Sequence, residues 1–345
     1  MQKKIIALAI AAAFAAPVAA MADVTVYGVV DGGVRSSTSA GTTSNTMNSG
    51  AGLNSNRWGV KSSEDLGDGM KANVVLEGDL FTATGANSAS GGAPTTLFSR
   101  QSTVGIEGGF GKIDLGRQYT TAFKLNTLID PFSHQFIGLT SANKASGITL
   151  PATNITRNDS DISYTAKFGE VTVIADKSMG AATSDSGATA AVGVSYVGGP
   201  VTAVLTYTKV KAAASPALIT SDMTHTQVGA GFNFGDGSVK VGYAQQKNAD
   251  SSAAGASSAG NDVTITNIWV GGNYNVSSKI GVTAAYYKTT TAVTAATDVV
   301  QANTIAAVTY ALSKKTALYV EADKQTNDST NIDSNGYTVG MNVAF

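Results

Sequence analysis

Charged side chains recur at every second or fourth position in several short stretches of this chain. Arg157, Asp159 and Asp161 are spaced by two. In an extended strand, residues two apart point to the same face, so these charges would form a row. Such a row suits a solvated wall, whereas acid–base catalysis needs two groups that converge on a substrate. Arg57 and Lys61 would also share a face, as would Lys71, Glu77 and Asp79, because an even number of positions separates the members of each set.

Residue types that carry catalysis or bind metals are scarce. The chain has no cysteine and two histidines, His134 and His225, which lie far apart in the sequence. A serine nucleophile needs a base positioned beside it, and a zinc site needs several nitrogen or sulfur ligands. We therefore expect no enzymatic activity, no metal and no cofactor.

The N-terminus has the composition of an export signal. Lys3 and Lys4 precede an apolar run, and Ala20-Met21-Ala22 has the small residues of a cleavage site. Residues 1–22 are thus predicted to be a signal peptide and residues 23–345 a single domain. Without the two lysines, 21 basic residues remain against 24 acidic ones, a net charge of −3. This charge argues against a nucleic acid partner.

The last nine residues show the pattern expected of a membrane strand. From Tyr337 to Phe345, large apolar side chains alternate with small or polar ones. Charged residues make up only 14% of the chain, yet residues 23–345 contain no helix-length apolar run. Because lipid-exposed backbone must be hydrogen-bonded internally, a membrane protein without apolar helices must be a closed barrel.

Turn signals predict the number of strands. Seven short turns, most of them with glycine or Asx residues, alternate with eight longer segments. The short turns are at 65–69, 108–111, 168–170, 198–200, 235–237, 275–278 and 313–315, and the long segments at 36–54, 82–97, 122–157, 180–188, 211–223, 249–261, 292–301 and 327–335. Seven hairpins plus a first and a last strand give an all-β, 16-stranded antiparallel transmembrane barrel, with short periplasmic turns and long extracellular loops.

The third long segment, Ala122 to Arg157, differs from the others because it is rich in large apolar residues. We expect it to fold into the lumen and narrow it, although it could instead cap the rim or pack on a neighbouring subunit. Arg100 and Arg117 would share a strand face with apolar residues. Strand alternation alone therefore does not show whether they face the lumen or the lipid. If arginines line one wall and Asp130 on the loop faces them, the electric field across the pore between these opposite charges would select among ions.

Several segments resemble general porins of β-proteobacterial outer membranes. They are 24–31, 55–67, 99–101, 115–119, 157–160, 310–316 and the terminal Phe345. The resemblance implies a trimer, a third loop inside each pore, and a constriction where Arg57, Arg100 and Arg157 converge. It also implies that Phe345 is a signal read by the barrel assembly machinery. Two departures are Asn342-Val343, where relatives commonly carry Arg-His, and Ser133-His134 in place of Gly-Gly after Asp130-Pro131-Phe132.

The sequence and the resemblance together predict an outer-membrane pore for passive diffusion of small hydrophilic solutes and ions. The predicted constriction comprises Arg57, Arg100, Arg117, Arg157 and Asp130, and its arginines favour anions. Lys61, Lys71, Glu77, Asp79, Asp159 and Asp161 are predicted to line the lumen wall. Expected partners are two further copies of the chain, outer-membrane lipids including lipopolysaccharide, and the assembly machinery. A substrate-specific channel and an adhesin-like barrel are the alternatives.

Overall fold

The computed structural model describes most of the chain after the predicted signal peptide, which lies outside the described residues. The described residues are 23–48, 52–87, 96–135, 149–150, 153–154, 156–180, 187–212, 222–248, 262–294, 296–330 and 332–345. No helix among them is both long and apolar enough to cross a bilayer.

These residues form sixteen barrel strands and one helix inside the barrel. The strands are β1 Asp23–Ser39, β2 in two parts (Thr42–Asn48 and Arg57–Gly67), β3 Met70–Asp79, β4 Gln101–Gly108, β5 Gly111–Tyr119, β6 Arg157–Phe168, β7 Val171–Ser178, β8 Thr189–Gly198, β9 Val201–Val210, β10 Met223–Phe234, β11 Gly237–Asn248, β12 Val263–Asn275, β13 Ile280–Val293, β14 Val299–Ala311, β15 Thr316–Asn327 and β16 Ser334–Ala344. The helix is α1, Thr121–Ile129. Thr149–Leu150 and Thr153–Asn154 form a separate two-residue pairing.

The last strand closes the barrel against the first. Each strand pairs antiparallel with the next, and β16 pairs with β1 from Ala344 opposite Val29 to Ser334 opposite Ser39. The Phe345 N–H donates to the Gly28 carbonyl at 3.1 Å, and the Gly28 N–H donates to the Phe345 carbonyl at 3.3 Å. A closed ring has no free strand edge, so the predicted sixteen-stranded barrel is confirmed.

The seven predicted short turns all join paired strands at one rim. The predicted loop at 36–54 is partly wrong. β1 continues to Ser39, and Thr42–Asn48 pairs with it beyond a turn at Ala40 and Gly41. This stretch is rich in serine and threonine and poor in large apolar residues, so its sequence resembles that of a loop. Its backbone nevertheless pairs with β1 as an antiparallel strand.

The barrel is apolar outside and polar inside, the reverse of a water-soluble protein. On β16, Tyr337 and Val339 are 64% and 60% exposed, whereas Thr338 and Asn342 are buried. An apolar outer surface of this extent fits contact with lipid. Exposed aromatic residues mark the short-turn rim, at Phe168, Tyr196, Phe234, Tyr274 and Tyr310.

Tyr27 is another aromatic residue near a strand end, but the structure places it inside the barrel, where its hydroxyl donates to Glu77 at 3.0 Å. Its neighbours Val24 and Val26 are on the outer face, so strand alternation turns Tyr27 inward.

The third long segment begins as α1, which lies inside the barrel as predicted for this loop. The hydroxyl of Thr120 accepts the Phe123 N–H at 3.2 Å and caps its first turn. Leu125 and Ile129 are buried against the wall. The apolar residues Phe136, Ile137, Leu139 and Ile148 lie outside the described residues.

Candidate pore constriction

Helix α1 packs on β7–β11, and glycines in that wall allow the close approach. A Cβ atom on Gly193 of β8 would lie 2.6 Å from the Leu125 Cδ1, and one on Gly229 of β10 would overlap Ile129. Larger residues at these two positions would push the helix into the lumen. The glycines therefore set how much of the barrel cross-section remains open.

Polar groups of the wall hold both ends of the helix. At the N-terminus, the Thr121 N–H donates to the Asp176 carboxylate at 2.7 Å. At the C-terminus, the Trp269 indole N–H donates to the Ile129 carbonyl at 2.9 Å, and the Lys240 ammonium donates to the Asp130 carbonyl at 3.0 Å. A carboxylate at the N-terminus and a cation at the C-terminus complement the helix dipole.

Asp130 does not face the arginines, contrary to expectation. Its carboxylate is buried. It accepts a hydrogen bond of 2.6 Å from the Tyr287 hydroxyl and one of 2.7 Å from the backbone N–H of His134. Tyr287 belongs to β13, on the same side of the barrel as the helix. Asp130 thus anchors the loop, and its negative charge is turned away from the opening. We call β7–β13, with α1 packed on it, the helix wall.

Arg100 is the centre of the opposite side of the lumen. Its guanidinium donates to Glu77 at 2.8 Å, to Asp79 at 2.9 Å and to the Tyr119 hydroxyl at 2.5 Å. Arg100 directly precedes β4, where Gln101 is the first strand residue, so the strand alternation that made its placement ambiguous does not extend to it. The structure places it inside.

Arg57 lies beside this cluster. Its Nε is 3.8 Å from the Glu77 carboxylate, and its Nη1 donates to the Ser55 carbonyl at 3.1 Å. Lys61 lies on the same face of β2, with its ammonium 5.6 Å from the centre of the Tyr27 ring. Arg57 and Lys61 therefore lie on the inward face of β2, where strand alternation predicts them. We call β2–β5, with Arg57, Arg100 and the adjoining Arg157, the arginine wall.

Arg157 joins the cluster through an aromatic ring rather than a carboxylate. Its Nη2 donates to the Tyr119 hydroxyl at 3.1 Å, and its guanidinium carbon is 4.6 Å from the centre of that ring. Among the described residues, no carboxylate lies within ion-pair distance of Arg157. Arg157 is the one of the three arginines whose charge no acidic side chain in this region offsets.

A stack of rings connects the two walls. Tyr119 of β5 stacks on Phe123 of α1 at 4.7 Å between centroids, and Phe123 stacks on His134 at 4.5 Å. The Asn126 side-chain amide donates to the His134 Nε2 at 3.0 Å. Burial lowers the pKa of the His134 imidazole, which favours its neutral form.

An opening of about 460 Å³ lies between the arginine wall and the helix. Its lining includes Arg57, Glu77, Arg100 and Tyr119 on one side, and Phe123, Lys124, Thr127, Ser133 and His134 on the other. Lys124 donates to Gln118 at 3.0 Å and to Ser163 at 3.3 Å, and burial lowers the pKa of its ammonium. Arg157 and Asp79 are beside this lining, joined to it through Tyr119 and Arg100, and in the cluster as a whole the three arginines outnumber the two carboxylates, Glu77 and Asp79.

Arg117 and Asp159 are not part of the opening. Gly116 pairs with Asp161 but Gln118 pairs with Asn158, so Asp159 and Ser160 together oppose Arg117 in a β-bulge. Ser160 accordingly has a φ of 50°.

The face of Arg117 follows from its partner on β4. Arg117 pairs with Ser102, whose neighbours Gln101 and Thr103 line an inner cavity, so Arg117 points outward. It forms an ion pair of 2.5 Å with Asp159, which is 76% exposed. The inward placement predicted for these two residues is therefore not what the structure shows.

The remaining predicted wall residues are inside the barrel but away from the opening. Lys71 lies near the short-turn rim, opposite Asp65 and Glu107. Asp161 is buried under the first turn of the helix and accepts from Asn158 at 3.4 Å.

Asn342, where relatives commonly carry arginine, donates to Asp31 at 3.0 Å. The Tyr319 hydroxyl donates to the same carboxylate at 2.7 Å. Asp31 is thus satisfied by neutral donors at the seam between the first and last strands.

The sequence did not predict that Tyr119, Phe123, Lys124 and His134 line the opening. Tyr119 was within the segment that carries the resemblance, and Phe123 follows a threonine at N-cap spacing. Both signals exist in the sequence, but neither specifies that the two rings meet.

Comparisons with known proteins agree with this architecture. The sequence matches the Gram-negative porin family over residues 7–330. It is 30% identical to an outer membrane porin protein of Bordetella pertussis over 279 residues, which are 72% of this chain and 70% of that protein. It is 33% identical to outer membrane porin protein 32 of Delftia acidovorans over 244 residues, 68% of this chain and 67% of that protein.

Solved structures share the fold. An anion-selective porin from Comamonas acidovorans superposes with a TM-score of 0.78 and 25% identity, covering 94% of this chain and all of that one. The trimer form of an outer membrane protein of Vibrio cholerae superposes with a TM-score of 0.69 at 17% identity, covering 94% of this chain and 99% of that one. With its closed barrel, inverted polarity and inward helix, this chain belongs to the Gram-negative porins, which are channel proteins of the outer membrane rather than enzymes.

Proposed function

We propose that this porin is a passive diffusion pore for small hydrophilic solutes and that it prefers anions. The observation that carries the proposal is the charge balance beside the opening, where three arginines cluster with two carboxylates. Asp130, which could have balanced the arginines, is bound to Tyr287 on the helix wall. The narrowest region therefore keeps a positive charge although the chain after residue 22 has a net charge of −3.

The arrangement suits passage rather than tight binding. Arg100 is fully engaged by Glu77 and Asp79, so it cannot wrap around a solute without breaking those bonds. Arg157 is held by Tyr119, and its charge lies close to the path. Charges within the roughly 8 Å screening length at physiological salt bias ion flow without forming a binding site.

The comparisons support the preference indirectly. A structural relative from Comamonas acidovorans is described as an anion-selective porin. We extend that selectivity to this chain as part of the proposal, since the arginines provide a physical reason for it. Assembly into homotrimers is likewise proposed, and it is supported by the trimer form of the Vibrio cholerae relative. Recognition of Phe345 by the assembly machinery and removal of residues 1–22 remain predictions.

Recording the purified protein in a planar lipid bilayer tests the proposal. We expect stepwise conductance increases and, in a KCl gradient, a zero-current potential of the sign that chloride preference produces. Absence of conductance steps would contradict the pore, and a potential of the opposite sign would contradict the anion preference alone.

A further inference from the structure

The second strand of the barrel is interrupted between its two parts. Asn48, the last residue of the first part, pairs with Gly33 of β1, and Arg57, the first residue of the second part, pairs with Val29. Eight residues between the two parts therefore stand opposite only three residues of β1. The surplus cannot remain in the sheet, and its described part, residues 52–56, leaves the barrel wall. We call residues 52–56 the inner strap.

The inner strap lies inside the barrel. Leu53 is buried and belongs to the apolar cluster that also contains Tyr319 of β15. Asn54 and Ser55 line the opening of about 460 Å³. Part of the first long loop thus shares the lumen with the third, and it borders the opening together with the arginine wall and the helix.

One carboxylate holds the inner strap. Asp31 of β1 accepts the backbone N–H groups of Leu53 and Asn54 at 3.0 and 3.4 Å. Tyr319 and Asn342 donate to the same carboxylate from β15 and β16, which fixes its position at the seam. Hydrogen bonds to a charged acceptor are roughly twice as strong as those between neutral groups. The position of the strap therefore depends on a residue that does not itself line the opening.

An asparagine side chain and a glycine complete the attachment. The Asp31 N–H donates to the Asn56 Oδ1 at 2.5 Å, and the Asn56 Nδ2 donates to the Asp31 carbonyl at 2.9 Å. This side-chain amide takes the place of a backbone partner where the pairing of β1 with β2 is interrupted. A Cβ atom on Gly52 would overlap the Asp31 carboxylate and the Tyr319 hydroxyl. The strap can therefore reach the carboxylate only because residue 52 has no side chain.

The inner strap also connects the arginine wall to the third long segment. The Ser55 carbonyl accepts the Arg57 Nη1 at 3.1 Å. The Asn54 Oδ1 accepts the side-chain amide of Gln135 at 3.1 Å, and Gln135 directly follows His134. The stack of rings joins the two sides of the opening at one place, and the bond between Asn54 and Gln135 joins them at another.

We propose that the inner strap is a second constriction element and that Asp31 is the positioning residue through which it limits the size of the solutes that pass. This role rests on the proposed function as a diffusion pore. Without the Asp31 carboxylate, the bond between Asn54 and Gln135 is too little to hold the strap, and the opening widens on that side. The arginines stay in place, because the carboxylates of the arginine wall and Tyr119 bind them.

Planar bilayer recordings with polyethylene glycols of graded size test the proposal, because a polymer that enters the pore lowers its conductance. We expect Asp31→Asn and Gly52→Ala to admit polymers that the unmodified protein excludes, and to conduct more in salt without polymer. Asp31→Asn removes the charge and turns an amide N–H group toward the donors of the strap. Gly52→Ala keeps the carboxylate and displaces the strap by steric overlap. Both variants should keep the sign of the zero-current potential.

Two substitutions separate this role from a general effect on the seam. Gly32→Ala adds a methyl group beside Asp31 where no atom lies within 4 Å, and Asp323→Asn removes a carboxylate that binds Arg35 rather than the strap. Both should keep the exclusion limit of the unmodified protein. An unchanged limit in Asp31→Asn and Gly52→Ala, or an equal shift in the two controls, would overturn the proposed role of the strap and leave the pore intact. Absence of conductance steps in the unmodified protein would instead contradict the pore, and with it the strap.

Discussion

The two walls that enclose the opening are built on different principles. The helix wall is apolar and regular: Leu125 and Ile129 pack on glycines, and hydrogen bonds fix the ends of α1. The arginine wall is charged and irregular, with Arg100 at the end of a strand and Arg157 before a bulge. The helix wall therefore sets the size of the opening and the arginine wall sets its charge, so substitutions can separate the two properties.

Replacing Arg100 should have the largest effect on the arginine wall. Arg100→Gln removes the cation that pairs with Glu77 and Asp79, which leaves Asp79 without a cation and Glu77 with Arg57 alone. Breaking such a buried pair costs about 3 to 5 kcal/mol. We expect loss of anion preference in bilayer recordings and a lower unfolding temperature. Unchanged preference would show that Arg100 does not organise the charge of the wall.

Arg157→Gln should change selectivity without changing stability. A unit charge about 5 Å from the path is worth about 0.8 kcal/mol in water, attractive for an anion and repulsive for a cation. Its removal should change each permeability about fourfold in opposite directions, so the anion-to-cation ratio should fall about sixteenfold. Arg117→Gln is the matched control, because Arg117 is on the outer face. Equal effects of the two substitutions would contradict the assignment of Arg157 to the opening.

The helix wall should respond in conductance rather than selectivity. Tyr287→Phe removes the hydroxyl that binds Asp130, which leaves a buried carboxylate short of a donor at a cost of about 1 to 3 kcal/mol. We expect more frequent transitions between conductance levels, with an unchanged zero-current potential. Tyr286→Phe, on the exposed outer face next to it, should leave the recordings unchanged. A shift in selectivity in Tyr287→Phe would show that the walls are not separable.

The smallest expected effect is the protonation of His134, which lies where the two walls meet. Burial lowers its pKa, so the positive form requires a pH below the ordinary value of about 6.5. The nearby charge of Asp130 opposes this shift, and that of Lys240 adds to it.

We therefore expect the unmodified protein and His134→Gln to have equal selectivity from pH 8 to 6.5. Below that range the unmodified protein should gain anion preference relative to the variant. A difference that titrates above pH 6.5 would contradict the neutral imidazole.

Regular features of this barrel could be predicted from sequence because they depend on neighbouring residues. Glycine and Asx turns and two-residue alternation gave the strand number, the closure and the inward faces of Arg57, Lys61, Glu77 and Asp79. The apolar composition of the third long segment also predicted that it folds inward.

The irregular features could not be predicted because they depend on distant residues. The bulge that separates Asp159 from Asp161 arises from pairing with Gly116 and Gln118, and the position of Asp130 is determined by Tyr287, 157 residues away. The position of the Arg100 side chain is determined by its partners Glu77, Asp79 and Tyr119 and not by the alternation of side chains along the strand. Charges at the site are thus least predictable where strand periodicity ends.

We propose that the arginine wall determines the charge preference of the pore. The zero-current potential of the triple variant R57Q/R100Q/R157Q in a steep KCl gradient tests it most directly, because Glu77 and Asp79 then remain without cations. We predict that the potential changes sign from that of the unmodified protein, toward cation preference. A potential of the same sign and size in both proteins would contradict the account.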